Sequence, residues 1–147
     1  MMGFSKTLGY AIKALSCLER SRQEQTTIAE REIAEETGIP KAYLAKIIHH
    51  LALHGIVATK RGPTGGVSFT RSARHISILE IVEAIEGEEW FNGCMLGMDD
   101  CSASEFCPFS DFWAEIYRTI EKKLRETSLA EIIQFRRLAV SSIGHKI

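Results

Sequence analysis

Three of the four cysteines fall close together, as Cys94-x6-Cys101-x5-Cys107. Thiolates at this density are soft ligands, and in a reducing compartment they more often bind metal or cycle through redox states than form a disulfide framework. A zinc ribbon would need a C-x2-C knuckle, and none is present. On a glycine-containing loop the three thiolates can surround an iron–sulfur cluster, of the 4Fe–4S or the 2Fe–2S type. The same residues without metal would make a reversible thiol switch. Met95, Met98, Trp90, Phe91, Phe106 and Phe109 stand nearby as apolar shielding. Cys17 lies beside Leu18 in a helical apolar stripe and reads as a core thiol.

The elements that must position this loop come before and after it. Leu8, Ala11, Ile12, Leu15 and Leu18 recur at helical spacing and predict a first helix over residues 5–20. Thr27 and Ile28 form a short β-branched lead-in. A second helix is predicted over 30–37, acidic in its first turn and closed by Gly38. Pro40 suits the start of a third helix over 41–54, which ends at Gly55. Helix, tight turn and helix make a helix-turn-helix. Two β-prone stretches, 56–59 and 67–70, flank Arg61-Gly62-Pro63-Thr64-Gly65-Gly66, which is a hairpin with a loose tip. Placed directly after a helix-turn-helix, such a hairpin is a wing.

Ser77-x-x-Glu80 is a capping box ahead of a fourth helix that ends near Gly87. Residues 90–108 carry no usable periodicity and contain the cysteines, and a loop that long is usually functional or disordered. Ser110 or Asp111 then caps a long helix to about residue 126, with Phe112, Ile116, Ile120 and Leu124 on one face. Ser128-x-x-Glu131 opens a last short helix through Phe135. The chain thus divides into a winged helix-turn-helix over 1–87, a cysteine loop over 88–109 and a helical segment over 110–147. The fold class is mainly α with a small β wing.

In such a fold the second helix of the pair enters the major groove of double-stranded DNA. Lys41, Ala42, Tyr43, Lys46 and His50 would face DNA from that helix. Arg61, Thr64 and Gly65 would face it from the wing, with Arg61 suited to a phosphate or a narrow minor groove. Charge agrees with this. Residues 1–75 carry 11 Lys and Arg against 6 Asp and Glu, a net of +5, and residues 76–147 carry 7 against 13, a net of −6. A polyanion therefore suits the first half only. His50 and His54 are four apart, but no Glu follows the first, so they read as surface histidines and not a zinc clamp. No nucleophile–base pair or paired carboxylate stands in a recognisable frame, so an enzyme with a small-molecule substrate is not indicated. An N-terminus without an apolar h-region and a chain without a run of about 18 apolar residues point to a cytoplasmic protein off the membrane.

Gly38-Ile39-Pro40-Lys41-Ala42-Tyr43-Leu44, the Arg-Gly-Pro-Thr-Gly-Gly tip, residues 78–87 and the Cys94…Cys101…Cys107-Pro108 loop together resemble the Rrf-two family of winged-helix transcriptional regulators. The resemblance covers nearly the whole chain. It implies a homodimer joined through the long helix at residues 111–126, a palindromic operator, and a transcriptional regulator, most simply a repressor. It also implies an iron–sulfur cluster on Cys94, Cys101 and Cys107 that senses nitric oxide, redox state or iron supply. The sequence departs from the family at three places. Ser110 stands where some members have a ligand histidine, and Gly9 where others have an acidic ligand. Asp99, Asp100 and Glu105 are then the local candidates for a fourth ligand. Ala45 replaces a glutamate that one branch uses to discriminate bases.

Overall fold

Buried and exposed positions alternate at helical spacing along α1 (Lys6–Arg22), which seats Leu8, Ala11, Leu15 and Leu18 in the core. The computed structural model describes residues 4–22, 27–91, 93–94, 96–98 and 106–143. α2 (Glu30–Thr37) buries Ile33, Ala34 and Thr37. Thr37 is tolerated there because its hydroxyl donates to the Ile33 carbonyl oxygen. Gly38 closes α2 at φ 71°, a left-handed conformation that costs glycine little, and its N–H donates to the Ala34 oxygen at 2.9 Å. α3 (Lys41–Leu53) starts immediately after Pro40 and packs on both preceding helices.

The wing is an antiparallel pair, β1 (Val57–Lys60) with β2 (Gly66–Phe69), in register Val57 with Phe69 and Lys60 with Gly66. The lead-in is extended at Ile28, which exchanges backbone hydrogen bonds with Val67 at 3.0 and 2.7 Å. The two glycines at the end of the tip have a packing reason. A Cβ on Gly65 would lie 2.1 Å from the Lys60 oxygen, and one on Gly66 would lie 2.4 Å from the Ile28 oxygen. Those glycines let the wing backbone close on its own chain.

A short 3-10 turn, Ala73–His75, follows the wing and was not legible in the sequence. α4 (Ile78–Glu86) begins with the reciprocal Ser77–Glu80 capping box and buries Ile78, Leu79, Ile81, Val82 and Ala84. α5 runs Ser110–Glu126, and α6 runs Leu129–Ile143. Two expectations are corrected here. The residue before α5 is Phe109, without a side-chain cap, so Ser110 is the first helical residue and neither it nor Asp111 is the cap. The last helix is not short. Its opening box is present, with Ser128 and Glu131 exchanging bonds of 2.7 to 3.2 Å, but the helix continues well past Phe135 to Ile143.

One apolar core unites α1 to α4, the wing base, and Leu129 and Ile133 of α6. Leu51 is fully excluded from solvent at its centre. Shortening such a side chain loses contacts and leaves a cavity, so Leu51→Ala should lower unfolding free energy by about 2–5 kcal/mol, read from the urea midpoint. Ser77→Ala, which deletes only the cap, should cost about 1 kcal/mol in the same assay.

Candidate nucleic-acid interface and cysteine loop

α3 is bare on one side because the other side is used completely. Leu44, Ile47, Ile48 and Leu51 are buried, whereas Lys41, Ala42, Tyr43, Ala45, Lys46, His49 and His50 are exposed. Tyr43 is 55% exposed, and the edge contact of its ring with Tyr10 of α1, centroids 6.4 Å apart, holds it at the surface. Arg61 and Thr64 stand exposed at the wing tip, and the Thr64 oxygen accepts a hydrogen bond from the Thr27 hydroxyl at 3.2 Å. Gly65 is partly buried in the tip turn.

Between α3 and the wing lies a cleft of about 400 Å³ whose lining includes Glu30, Ala45, His49, Lys60, Arg61 and Gly65. Lys60 was not singled out as a contact by the sequence reading. Helical periodicity gave a signal for His49, which stands one turn beyond Ala45 on the exposed face. His50, which was singled out, lies outside that lining; its backbone oxygen accepts from His54 Nδ1 at 3.0 Å. The arrangement offers a helix for the major groove, a basic hairpin for the adjacent backbone or minor groove, and a cleft between them lined by His49, Lys60 and Arg61.

The cysteine loop joins α4 to α5. Cys94 and Cys107 are both half-buried. The Leu96 N–H approaches Cys94 Sγ at 3.4 Å, and the Cys94 oxygen accepts from Gly97 N at 2.9 Å. The Cys107 oxygen accepts from Ser110 N, the first residue of α5, at 3.1 Å. Met95, Cys101, Asp99, Asp100 and Glu105 lie outside the described residues. Among the described residues no group of three acidic, histidine or cysteine side chains converges for a metal.

The shielding expected of the nearby apolar side chains divides. Phe91 stacks on Trp113 at 4.9 Å and meets Tyr117 at 4.7 Å and Trp90 at 4.8 Å, so the start of the loop rests on α5. Phe106 is 89% exposed, and Met98 and Phe109 also face solvent in the single chain. Cys17 behaves as the core thiol expected. Burial, and then the Glu36 carboxylate that accepts its S–H, push its pKa up to about 11.

These features define a winged helix-turn-helix DNA-binding protein with a helical extension. The chain belongs to the Rrf2 family of iron-dependent transcriptional regulators, whose family pattern matches residues 4–134. An HTH-type transcriptional regulator of Aquifex aeolicus is 31% identical over 134 residues, covering 90% of this chain and 92% of that protein. The HTH-type transcriptional repressor NsrR of Streptomyces coelicolor is 32% identical over 107 residues, 73% of this chain and 68% of its own. The structure of T. potens IscR superposes with a TM-score of 0.71 over 98% of this chain and 95% of that one, at 24% identity, a likeness of fold. The chain is therefore a DNA-binding regulator of transcription and not an enzyme. No helix among the described residues is long and apolar enough to cross a membrane.

Two measurements check the site. Lys46→Ala and Arg61→Ala should each weaken duplex binding and reduce the slope of log affinity against log salt by about 1, whereas Lys122→Ala on α5 should change neither. At pH 8 iodoacetamide should leave Cys17 unmodified in the folded chain. A thiol whose pKa is raised on folding contributes stability below the unfolded value of about 8.5 and loses it as pH climbs. The urea midpoint should accordingly fall between pH 8 and pH 11 in wild type, and less in Cys17→Ala.

Proposed function

We propose that the chain acts as a homodimer on a palindromic operator and that an iron–sulfur cluster held by Cys94, Cys101 and Cys107 controls its grip on DNA. The observation that carries the reading is where the loop sits. Cys107 is hydrogen-bonded to the first turn of α5, and Phe91, three residues before Cys94, is stacked on Trp113 one turn further along that helix. Order in the loop is thereby tied to the start of α5.

The donors suit the group. All are soft thiols, Cys94 and Cys107 are half-buried, and a backbone N–H is directed at the Cys94 sulfur, the kind of hydrogen bond that steadies a ligating thiolate. A bound cluster would supply a centre reactive to nitric oxide and oxidants. Asp99, Asp100 and Glu105 are the protein groups nearest in sequence that could complete the ligand set. The dimer reading is supported by α5 itself. It fully buries no residue within one chain, and although Leu124 packs against the core, Phe112, Ile116 and Ile120 continue its apolar stripe along a helix roughly 25 Å long. An amphipathic helix of that kind needs its stripe covered, and a second copy supplies an identical one. Two recognition helices would then enter successive major grooves about 34 Å apart. Repression follows most simply if the bound dimer occludes a promoter.

Anaerobic purification tests the sensor. Matched iron and acid-labile sulfide are expected, and the Cys94→Ala, Cys101→Ala, Cys107→Ala triple variant should lose both while still binding duplex DNA in its metal-free mode. A chain free of metal after anaerobic reconstitution, whose DNA binding responds to peroxide and recovers with dithiothreitol, would replace the cluster with a thiol switch.

A further inference from the structure

The DNA-reading half and the α5–α6 extension meet along the side of α4 and at a backbone joint. The backbone of residues 76–78 pairs with the α5–α6 corner. Leu129 N donates to the Ile76 oxygen at 2.8 Å, and Ile78 N donates to the Thr127 oxygen at 2.9 Å. Ile76 and Leu129 are fully buried behind it, and Thr127 N, bonded to the Lys123 oxygen at 3.1 Å, closes α5. The orientation of residues 75–80 therefore contributes, together with the packing of α5 on α4, to the orientation of α5.

One side chain spans that segment and the end of α3. Arg71 Nη1 donates to the oxygen of Gly55, in the turn that ends α3, at 3.1 Å, and its Nε donates to the His75 oxygen at 3.0 Å. Its Nη2 pairs with Glu80 Oε1. The other carboxylate oxygen of Glu80 accepts from Ser77 N at 2.8 Å and from Ser77 Oγ at 3.0 Å. Arg71 thus grips the joint on both sides, at His75 and at Glu80, and ties it to the turn after the recognition helix. A planar guanidinium bonded to three acceptors resists rotation in a way that a single ammonium does not.

We propose that Arg71 is a positioning residue that sets the angle between the DNA-reading half and α5, and with it the half-site spacing that the dimer accepts. The inference rests on the dimeric DNA-binding reading above. A two-fold dimer holds its recognition helices at one separation, and each added base pair moves a half-site by about 3.4 Å and turns it about the axis. A stiff joint makes that mismatch costly, and a loosened joint forgives it. The pair is partly exposed, with side chains 33% and 42% accessible, so its loss leaves the core intact.

The test uses the full-length dimer and duplexes selected from a random pool by the wild type. Affinities are compared for the selected palindrome, for versions with one base pair inserted or removed at the centre, and for a single half-site. Arg71→Ala and Arg71→Lys should bind the single half-site within about twofold of wild type but lose about threefold to tenfold on the selected palindrome, the scale of one ion pair and one or two hydrogen bonds. Their preference for the selected spacing over the altered ones should shrink. Glu80→Gln keeps an acceptor for the cap while removing the ion pair, and should give the same pattern if Arg71→Ala folds poorly. Unchanged spacing preference, or equal losses on half-site and palindrome, would overturn the positioning role. A wild type that binds one half-site as tightly as two would overturn the dimer reading itself, a separate outcome.

Discussion

Leu44, Ile47, Ile48 and Leu51 occupy the centre of the core, and their burial obliges the opposite face of α3 to look outward. The rest of the DNA-binding half supports that asymmetry. α1 and α2 form the floor on which α3 lies, Gly38 supplies the turn that sets its entry, and Gly55 begins the wing that stands beside it. An exposed helical face carrying Lys41, Lys46 and two adjacent histidines is stable only because the apolar face is so fully used. Polar groups at the surface contribute little to folding and are free to meet a partner.

Beyond the core the balance changes. α5 has no fully buried residue, and among the described apolar residues of α6 only Leu129 and Ile133 are fully buried, with Ala130 and Ile132 packed against the core. Phe135, Leu138 and Val140 remain exposed. The helical extension packs on α4 and, at its corner, on the core, and its remaining apolar side chains face outward. The cysteine loop is itself anchored on the first turns of α5, through Phe91 on Trp113 and the Cys107 oxygen on Ser110 N.

The two classes of cysteine separate by environment. Cys17, buried and facing Glu36, is kept protonated and inert, whereas Cys94 and Cys107 are half-buried with backbone groups around them. Thiolate chemistry needs access and stabilisation of the anion, and the core position denies both.

Much of this was legible in the residues alone. Periods of 3.6 and 2, Gly38 and Pro40 at the turn, and the boxes at Ser77–Glu80 and Ser128–Glu131 are local signals, because a helix end or tight turn is decided by a few neighbouring groups. The order of helices and wing, and the grouping of the cysteines, followed directly. Other features depended on segments distant in sequence. The short 3-10 turn and the tip glycines closing on Lys60 and Ile28 arise from tertiary contact. So does the cleft that brings His49 to Lys60 and Arg61, and so does the grip of Arg71 on Gly55, His75 and Glu80. Sequence determined which surfaces are apolar, basic or thiol-bearing, since those are properties of single residues in register. Tertiary structure decided which of them meet, because a hydrogen bond or a cleft depends on distances that only the packed core sets.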